Sequence, residues 1–304
     1  MSSRKAAEIA QSRFVAAPDG LKLHVRCYRT ASSSLRLPLL CLPGLTRNES
    51  DFEPLARYLT ASHEYARPVF AMDSRGRGRS AYDSDWRNYN PAVELADVIA
   101  VTTALRLDRA VFLGTSRGGI LTMLLAAVQP ALIAGAILND IGPVIEQDGL
   151  MRIKSYVGRI PTPDDRTQGA AILRGLFGAQ FPKLNEADWH AWANRSWQQG
   201  RHGLIARYDQ KLAETLNEVA PDQPLPNLWE QFDALPKVPI MVVRGALSDI
   251  LSPDTLRAMR ERRPDLEAVE VPDQGHAPLL AEPAIMRRIA DFLRRCDRAA
   301  GSQD

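Results

Sequence analysis

The feature that most constrains this chain is a beat in which short apolar runs alternate with segments whose apolar residues recur at helical spacing. "LPLLCLPG" (37–44) is followed by "DFEPLARYL", where Phe52, Leu55 and Leu59 share one helical face. "RPVFAMD" leads into "NPAVELADVIAVTTAL", with Asn90 placed to cap a helix and Pro91 at its first position. "RAVFLG" and "LIAGAILND" flank "RGGILTMLLAAV", and "VPIMVVRG", "SPDTLRAMRERR", "LEAVEVP" and "EPAIMRRIADFLRRC" continue the pattern. Strands followed by crossover helices imply a mostly parallel sheet covered on both faces. Ahead of them, "RFVAAPDGLKLHVRCY" turns at Pro18-Asp19-Gly20 and predicts an antiparallel hairpin at the sheet edge.

Between Pro143 and about Pro236 the beat stops. This stretch has no strand-like run and offers helical segments such as "LRGLFGAQF", "NEADWHAWANRSWQQG" and "DQKLAETLNEV", punctuated by Pro161, Pro163, Pro221, Pro224 and Pro226. The expected organisation is an α/β core domain over residues 1–143 and 237–304, with a helical cap inserted over 144–236. Four of the five tryptophans, Trp189, Trp192, Trp197 and Trp229, fall in that cap. On one helix the first three form a packing stripe.

A 304-residue chain with 45% apolar residues can bury a substantial core. Its 38 basic and 36 acidic residues leave a net charge of +2, which provides no long-range field for nucleic acid or an anionic membrane and suits a neutral substrate. Cys27, Cys41 and Cys296 are too scattered for a disulfide framework or a zinc site. The opening "MSSRKAAEIAQSRF" lacks a secretory apolar stretch, and no segment approaches a membrane span, so a cytoplasmic location is expected. Nothing in the sequence fixes an oligomeric state, and a homo-oligomer stays open.

The chemistry points to "VFLGTSRGGI" (111–120), where a serine stands between glycines at a strand-to-helix seam. A turn this sharp strains its central residue and brings the flanking backbones together, so residues two positions either side must be nearly without side chains. Gly114 and Gly118 meet that requirement, and Ser116 is lifted to a helix N-terminus whose unpaired N–H groups can face negative charge. This is the nucleophile elbow G-x-S-x-G.

With "CLPGLTRN", "MDSRGRGRS", "LGTSRGG", "RGALSDILSP" and "VPDQGHAP" in this order, the sequence resembles an α/β-hydrolase fold enzyme of the capped serine esterase or lactonase type over nearly its whole length. The resemblance implies Ser116 as nucleophile, His276 as base and Asp249 as the orienting acid, with Asp140 in "AILNDIGP" the alternative acid. It implies an oxyanion hole from the backbone N–H groups of Leu45 and Arg117. Relatives usually carry His-Gly where this chain has Pro43-Gly44; proline braces the loop by its fixed φ and keeps the glycine. A structural role for Asp140, pairing with Arg117 or capping the entry to the cap, is its alternative. The remaining histidines, His24, His63, His190 and His202, lack such a setting.

The "DSRGRGRS" loop carries Arg75, Arg77 and Arg79, but without a phosphate-binding glycine pattern it reads as a structural brace. Trp189, Trp192 and Phe52 are the candidate pocket residues, with core packing the competing role. Together these features predict two-step acyl transfer on a small-molecule or polymeric ester (carboxylester, lactone or aliphatic polyester) without metal or organic cofactor. Carbon–carbon bond hydrolysis, cofactor-free perhydrolysis and a non-catalytic receptor on the same fold are the alternatives.

Overall fold

The computed structural model describes residues 10–28, 36–201, 203–217, 219–220 and 225–301. Pro221, Pro224 and His202 lie outside the described residues.

The chain opens with the hairpin β1 (Ala10–Ala16) and β2 (Lys22–Tyr28), paired antiparallel from Ala10↔Tyr28 to Ala16↔Lys22. Gly20 supplies the positive φ of +86° that closes it. There follow β3 (Leu39–Leu42), α1 (Glu53–Ala61), β4 (Val69–Asp73), α2 (Pro91–Leu105), β5 (Ala110–Thr115), α3 (Arg117–Val128) and β6 (Ile133–Asn139). Asn90 caps α2 by accepting from Ala92 and Val93 N–H, with Pro91 in the first turn.

A long excursion then carries α4 (Gln147–Tyr156), α5 (Arg166–Phe177), α6 (Glu186–Ser196), β7 (Trp197–Gly200), β8 (Gly203–Ala206) and α7 (Trp229–Asp233). The chain returns to the sheet as β9 (Ile240–Gly245), α8 (Pro253–Arg262), β10 (Glu267–Val271) and α9 (Pro283–Gly301).

The sheet has the order β1-β2-β4-β3-β5-β6-β9-β10. From β4 to β10 every pair is parallel, and β2 joins β4 antiparallel. Its interior strand β6 is buried at all seven positions, as a strand covered on both faces must be. Alternate residues feed two cores. Leu40, Leu42 and Phe112 pack with Val98, Val101, Leu121 and Met259 of α2, α3 and α8; Leu39, Cys41, Val111 and Leu113 pack with Leu55, Leu59, Ile289 and Phe292 of α1 and α9.

The excursion builds a third cluster of its own. Leu173 and Phe177 of α5 meet Trp189 and Trp192 of α6, which stack at 5.5 Å, and Phe181 meets Trp192 edge-on. An Asn185–Asp188 capping box fixes the start of α6. Two expectations are corrected here. The stretch does contain strands, the β7–β8 hairpin, and Trp197 is its first residue rather than a third member of the helical stripe. The two strands pair antiparallel from Trp197↔Ala206 to Gly200↔Gly203.

All three cysteines are buried. No helix among the described residues is long and apolar enough to cross a membrane.

Candidate active site

The seam between β5 and α3 places Ser116 at φ 50°, ψ −113°, a left-handed conformation that costs a non-glycine residue on the order of 1–3 kcal/mol. The glycines are a steric requirement. A Cβ on Gly114 would lie 2.3 Å from the Gly118 carbonyl carbon, and one on Gly118 would lie 2.1 Å from the Leu42 carbonyl oxygen. The Ser116 N–H donates to the Asn139 carbonyl at 3.0 Å, which ties the elbow to β6.

His276 reaches this serine from the loop after β10, with Nε2 2.9 Å from Ser116 Oγ. Its other nitrogen, Nδ1, lies 2.8 Å from Oδ2 of Asp140. Asp140 is fully buried just past the end of β6 at φ 55°. Its backbone N–H donates to the Val243 carbonyl, its Oδ1 accepts from Gly245 N–H at 2.8 Å, and its Oδ2 also accepts from Ser248 Oγ at 2.6 Å. A carboxylate held by this many donors is fixed in orientation, and so is the imidazole it faces.

The expected partner of His276, Asp249, makes no hydrogen bond to it among the described residues. Both of its oxygens are taken by Arg152 of α4, at 2.5 and 2.8 Å, and about a third of its side chain is exposed. Burial pushes the Asp249 carboxyl up, but Arg152 more than offsets this and holds it below the ordinary range. The reason is the turn after β9: Ser248 is directed back to Asp140, and Asp249, one residue on, points toward α4. Asp140 therefore faces His276, and the proposed pairing of Asp140 with Arg117 gives way to Arg117 Nε donating to Glu94 at 2.7 Å.

Gly44, just after β3, stands beside the serine: a Cβ built on it would lie 3.8 Å from Ser116 Cβ and 3.4 Å from Arg47 Cγ. Leu45 follows it, and Arg117 opens α3, where a helix leaves its first N–H groups without intrahelical partners. A buried network links these two residues. Arg77 Nε donates to the Leu45 carbonyl at 2.7 Å, Arg77 Nη1 donates to Glu94, and the other Glu94 oxygen accepts from Arg117. Burial alone would raise the Glu94 carboxyl, yet Arg117 and Arg77 hold it below its usual value. Sequence reasoning assigned Arg77 a bracing role but had no signal for Glu94, which shares α2 with Asp97 and two threonines.

The other arginines of that loop are absorbed as well. Arg75 is held by Asp97, Asp19 and Asp83, and Arg79 Nη1 donates to Ser12 Oγ. Within the loop, Asp73 accepts from Glu49 and Arg79 N–H, and its carboxylate occupies the space a Gly78 side chain would need. His24, expected to be a bystander, is fully buried between Asp73 Oδ2 at 2.7 Å and Ser12 Oγ at 2.9 Å.

Ser116 and His276 open onto a cavity walled by Ile153, Tyr156, Leu173, Phe177, Trp192 and Trp197, all from the excursion between β6 and β9. Of the three predicted pocket residues, Phe52 and Trp192 line it. Trp189 does not; it is stacked behind Trp192. The same cavity is lined by Arg47, Asp51 and Arg195, which the sequence did not single out. The one local signal was the i, i+4 spacing of Arg47 and Asp51.

The alpha/beta hydrolase family model matches residues 39–288. A 3-hydroxybutyrate-oligomer hydrolase of Cupriavidus necator is 32% identical over 253 residues, covering 81% of this chain and 84% of that protein. A 2-(acetamidomethylene)succinate hydrolase of Mesorhizobium japonicum is 24% identical over 84% of this chain and 87% of its own length. The crystal structure of an alpha/beta hydrolase from Novosphingobium aromaticivorans, 40% identical, superposes with a TM-score of 0.87 over 95% of this chain and all of that one.

Proposed function

This chain belongs to the alpha/beta hydrolase family, and from that premise we propose that it hydrolyses carboxylic esters through Ser116, His276 and Asp140. The observation that carries the reading is the continuous contact Ser116 Oγ–His276 Nε2, His276 Nδ1–Asp140 Oδ2, opening into an apolar cavity. His276 takes the serine proton as Oγ attacks the ester carbonyl, while Asp140 keeps Nδ1 as the protonated nitrogen and stabilises the imidazolium. The oxyanion that forms is met by the N–H groups of Leu45 and Arg117. His276 then protonates the departing alcohol and activates the water that releases the acid from Ser116.

The apolar wall suits aliphatic acyl chains and keeps bulk water from the reacting carbonyl. Among aliphatic esters, oligomers of hydroxy acids are the favoured class. Similarity to the 3-hydroxybutyrate-oligomer hydrolase over four fifths of the chain supports this choice.

The test is hydrolysis of p-nitrophenyl butyrate by the wild type and by Ser116→Ala, with mass-spectrometric mapping of an alkyl phosphonate label. The expected outcome is a loss of four to six orders of magnitude, roughly what removing a triad nucleophile costs, and label on Ser116 alone. Undiminished turnover by Ser116→Ala, or label on another serine, overturns the proposal.

A further inference from the structure

Among the residues that line the cavity, the permanently charged ones stand together. Arg47, Asp51 and Arg195 line it together, each with about a fifth of its side chain exposed. Arg47 takes both Asp51 oxygens, Nε to Oδ2 at 2.7 Å and Nη2 to Oδ1 at 2.5 Å, and spends Nη1 on Ser196 Oγ at 3.2 Å. Arg195 shares the same carboxylate, its Nε 3.2 Å from Asp51 Oδ1, but the alignment is not that of a hydrogen bond. Among the described residues this buried Nε has no hydrogen-bond partner.

Of the charged residues lining the cavity, two permanent cations thus share one anion, leaving an excess positive charge on its wall. Burial lowers the Arg195 guanidinium from its usual value, and Asp51 only partly compensates. Asp51 itself is held below the ordinary carboxylate range: burial would raise it, and Arg47, Arg195 and Arg207 prevail. A charge kept out of water without a full counter-charge is expensive unless a ligand supplies one. The planar fork of a guanidinium matches a carboxylate in particular. The charged group shares its cavity with the chemistry, since Arg47, Asp51 and Arg195 line the same space as Ser116 and His276.

From this we propose that Arg195, supported by Arg47, receives a free carboxylate of the substrate, so that the enzyme selects ester acids over neutral esters. The inference rests on the ester-hydrolase reading and narrows its substrate class: the scissile carbonyl sits at Ser116, and an anionic end of the same molecule sits at the arginine pair. A linear oligoester of a hydroxy acid has this form, with an internal ester and a terminal carboxylate. In the bound state that carboxylate would give Arg195 the partner Asp51 does not.

The experiment compares the linear dimer of 3-hydroxybutyric acid with its methyl ester, following cleavage of the internal ester chromatographically: two molecules of 3-hydroxybutyrate per free dimer, and one together with methyl 3-hydroxybutyrate per dimer methyl ester. For the wild-type protein kcat/KM is expected to favour the free acid by about tenfold or more, the scale of one charge-assisted hydrogen-bonded pair, with the difference mostly in KM. In Arg195→Gln the ratio of free acid to methyl ester should fall toward one, and Arg195→Lys should keep part of it. Because each ratio is measured within one protein, partial misfolding of a variant cancels. A wild type that cleaves the methyl ester as readily as the acid, or an Arg195→Gln variant with the wild-type ratio, overturns the carboxylate site and leaves the hydrolase reading standing. A protein that cleaves neither dimer nor p-nitrophenyl butyrate overturns both.

Discussion

Asp140 and Asp249 are each a single acidic residue just beyond a parallel strand, β6 and β9, and the two strands are neighbours in the sheet. Their difference is in what reaches them: Asp140 collects Gly245 N–H, Ser248 Oγ and the imidazole, whereas Asp249 is occupied by Arg152. Asp140→Asn should therefore lower kcat by about four orders of magnitude with KM nearly kept, because an amide favours the wrong imidazole tautomer. Asp249→Asn should cost less than tenfold in kcat and at most about 1 kcal/mol of stability, the scale of a partly exposed ion pair. Steady-state kinetics and urea unfolding of the two variants check this, and the reverse order would refute it. The sequence could not separate them, since both stand at strand ends and only the path of the turn through Ser248 decides. A similar ambiguity affects serines. Ser12, His24 and Asp73 form a second hydroxyl–imidazole–carboxylate line, but Ser12 Oγ also accepts from Arg79 and Arg26, and none of the three lines the cavity. Ser12→Ala should keep phosphonate labelling at Ser116 at the wild-type rate.

At the scale of elements, what the sequence made plain was whatever repeats or is sterically obligatory. The inner strands β3, β4, β5, β6 and β9 are apolar runs that cross a buried layer, the β1–β2 hairpin is marked by its Pro18-Asp19-Gly20 turn and β10 by its place in the beat, so all eight were legible, as was the turn whose glycines leave no alternative. The β7–β8 hairpin was not, because four-residue strands with polar Gln198 and Gln199 lack a periodic signature and hold their shape by packing Trp197 and Leu204 into the third cluster. The cost of replacing a glycine should follow the same logic. Gly118→Ala forces a Cβ against backbone of β3, which cannot swing aside as a side chain can, so the strand and α3 must part near Leu45 and Arg117. We expect about 2 kcal/mol or more of destabilisation and at least a hundredfold loss of kcat. Gly175, exposed within α5, has nothing within 4 Å of a built Cβ, and Gly175→Ala should stabilise the protein by about 0.5–1 kcal/mol with activity retained. Thermal unfolding of both variants distinguishes steric from conformational glycine; similar shifts in the same direction would contradict the assignment.

Across the whole molecule the formal charge is nearly balanced, and the fully buried arginines Arg67, Arg75 and Arg77 are each paired with an acid, but one buried acid lies off that pattern. Glu49 follows β3, buried beside Asp73, with Arg207 only at 3.5 Å. Burial first, and the Asp73 charge second, push its carboxyl up to about 7. Its ordinary value is near 4.5, so between those two pH values the native state holds a proton that the unfolded chain has released. The unfolded state then binds fewer protons than the native one, and stability from this group must fall as pH rises through the interval. Below it the group contributes nothing further; above it the penalty is constant. Glu49→Gln removes the titration and resembles the protonated acid in shape. Its stability relative to the wild type should therefore be nearly level at pH 4 and improve by up to about 3 kcal/mol at pH 8.5, the equivalent of the shift at 1.36 kcal/mol per unit. Subtracting the wild-type curve cancels the other titrating groups, so paired urea unfolding of the two proteins at several pH values reads the difference directly. A difference independent of pH would mean that Glu49 titrates in the native protein where it does in the unfolded chain, with Arg207 offsetting its burial.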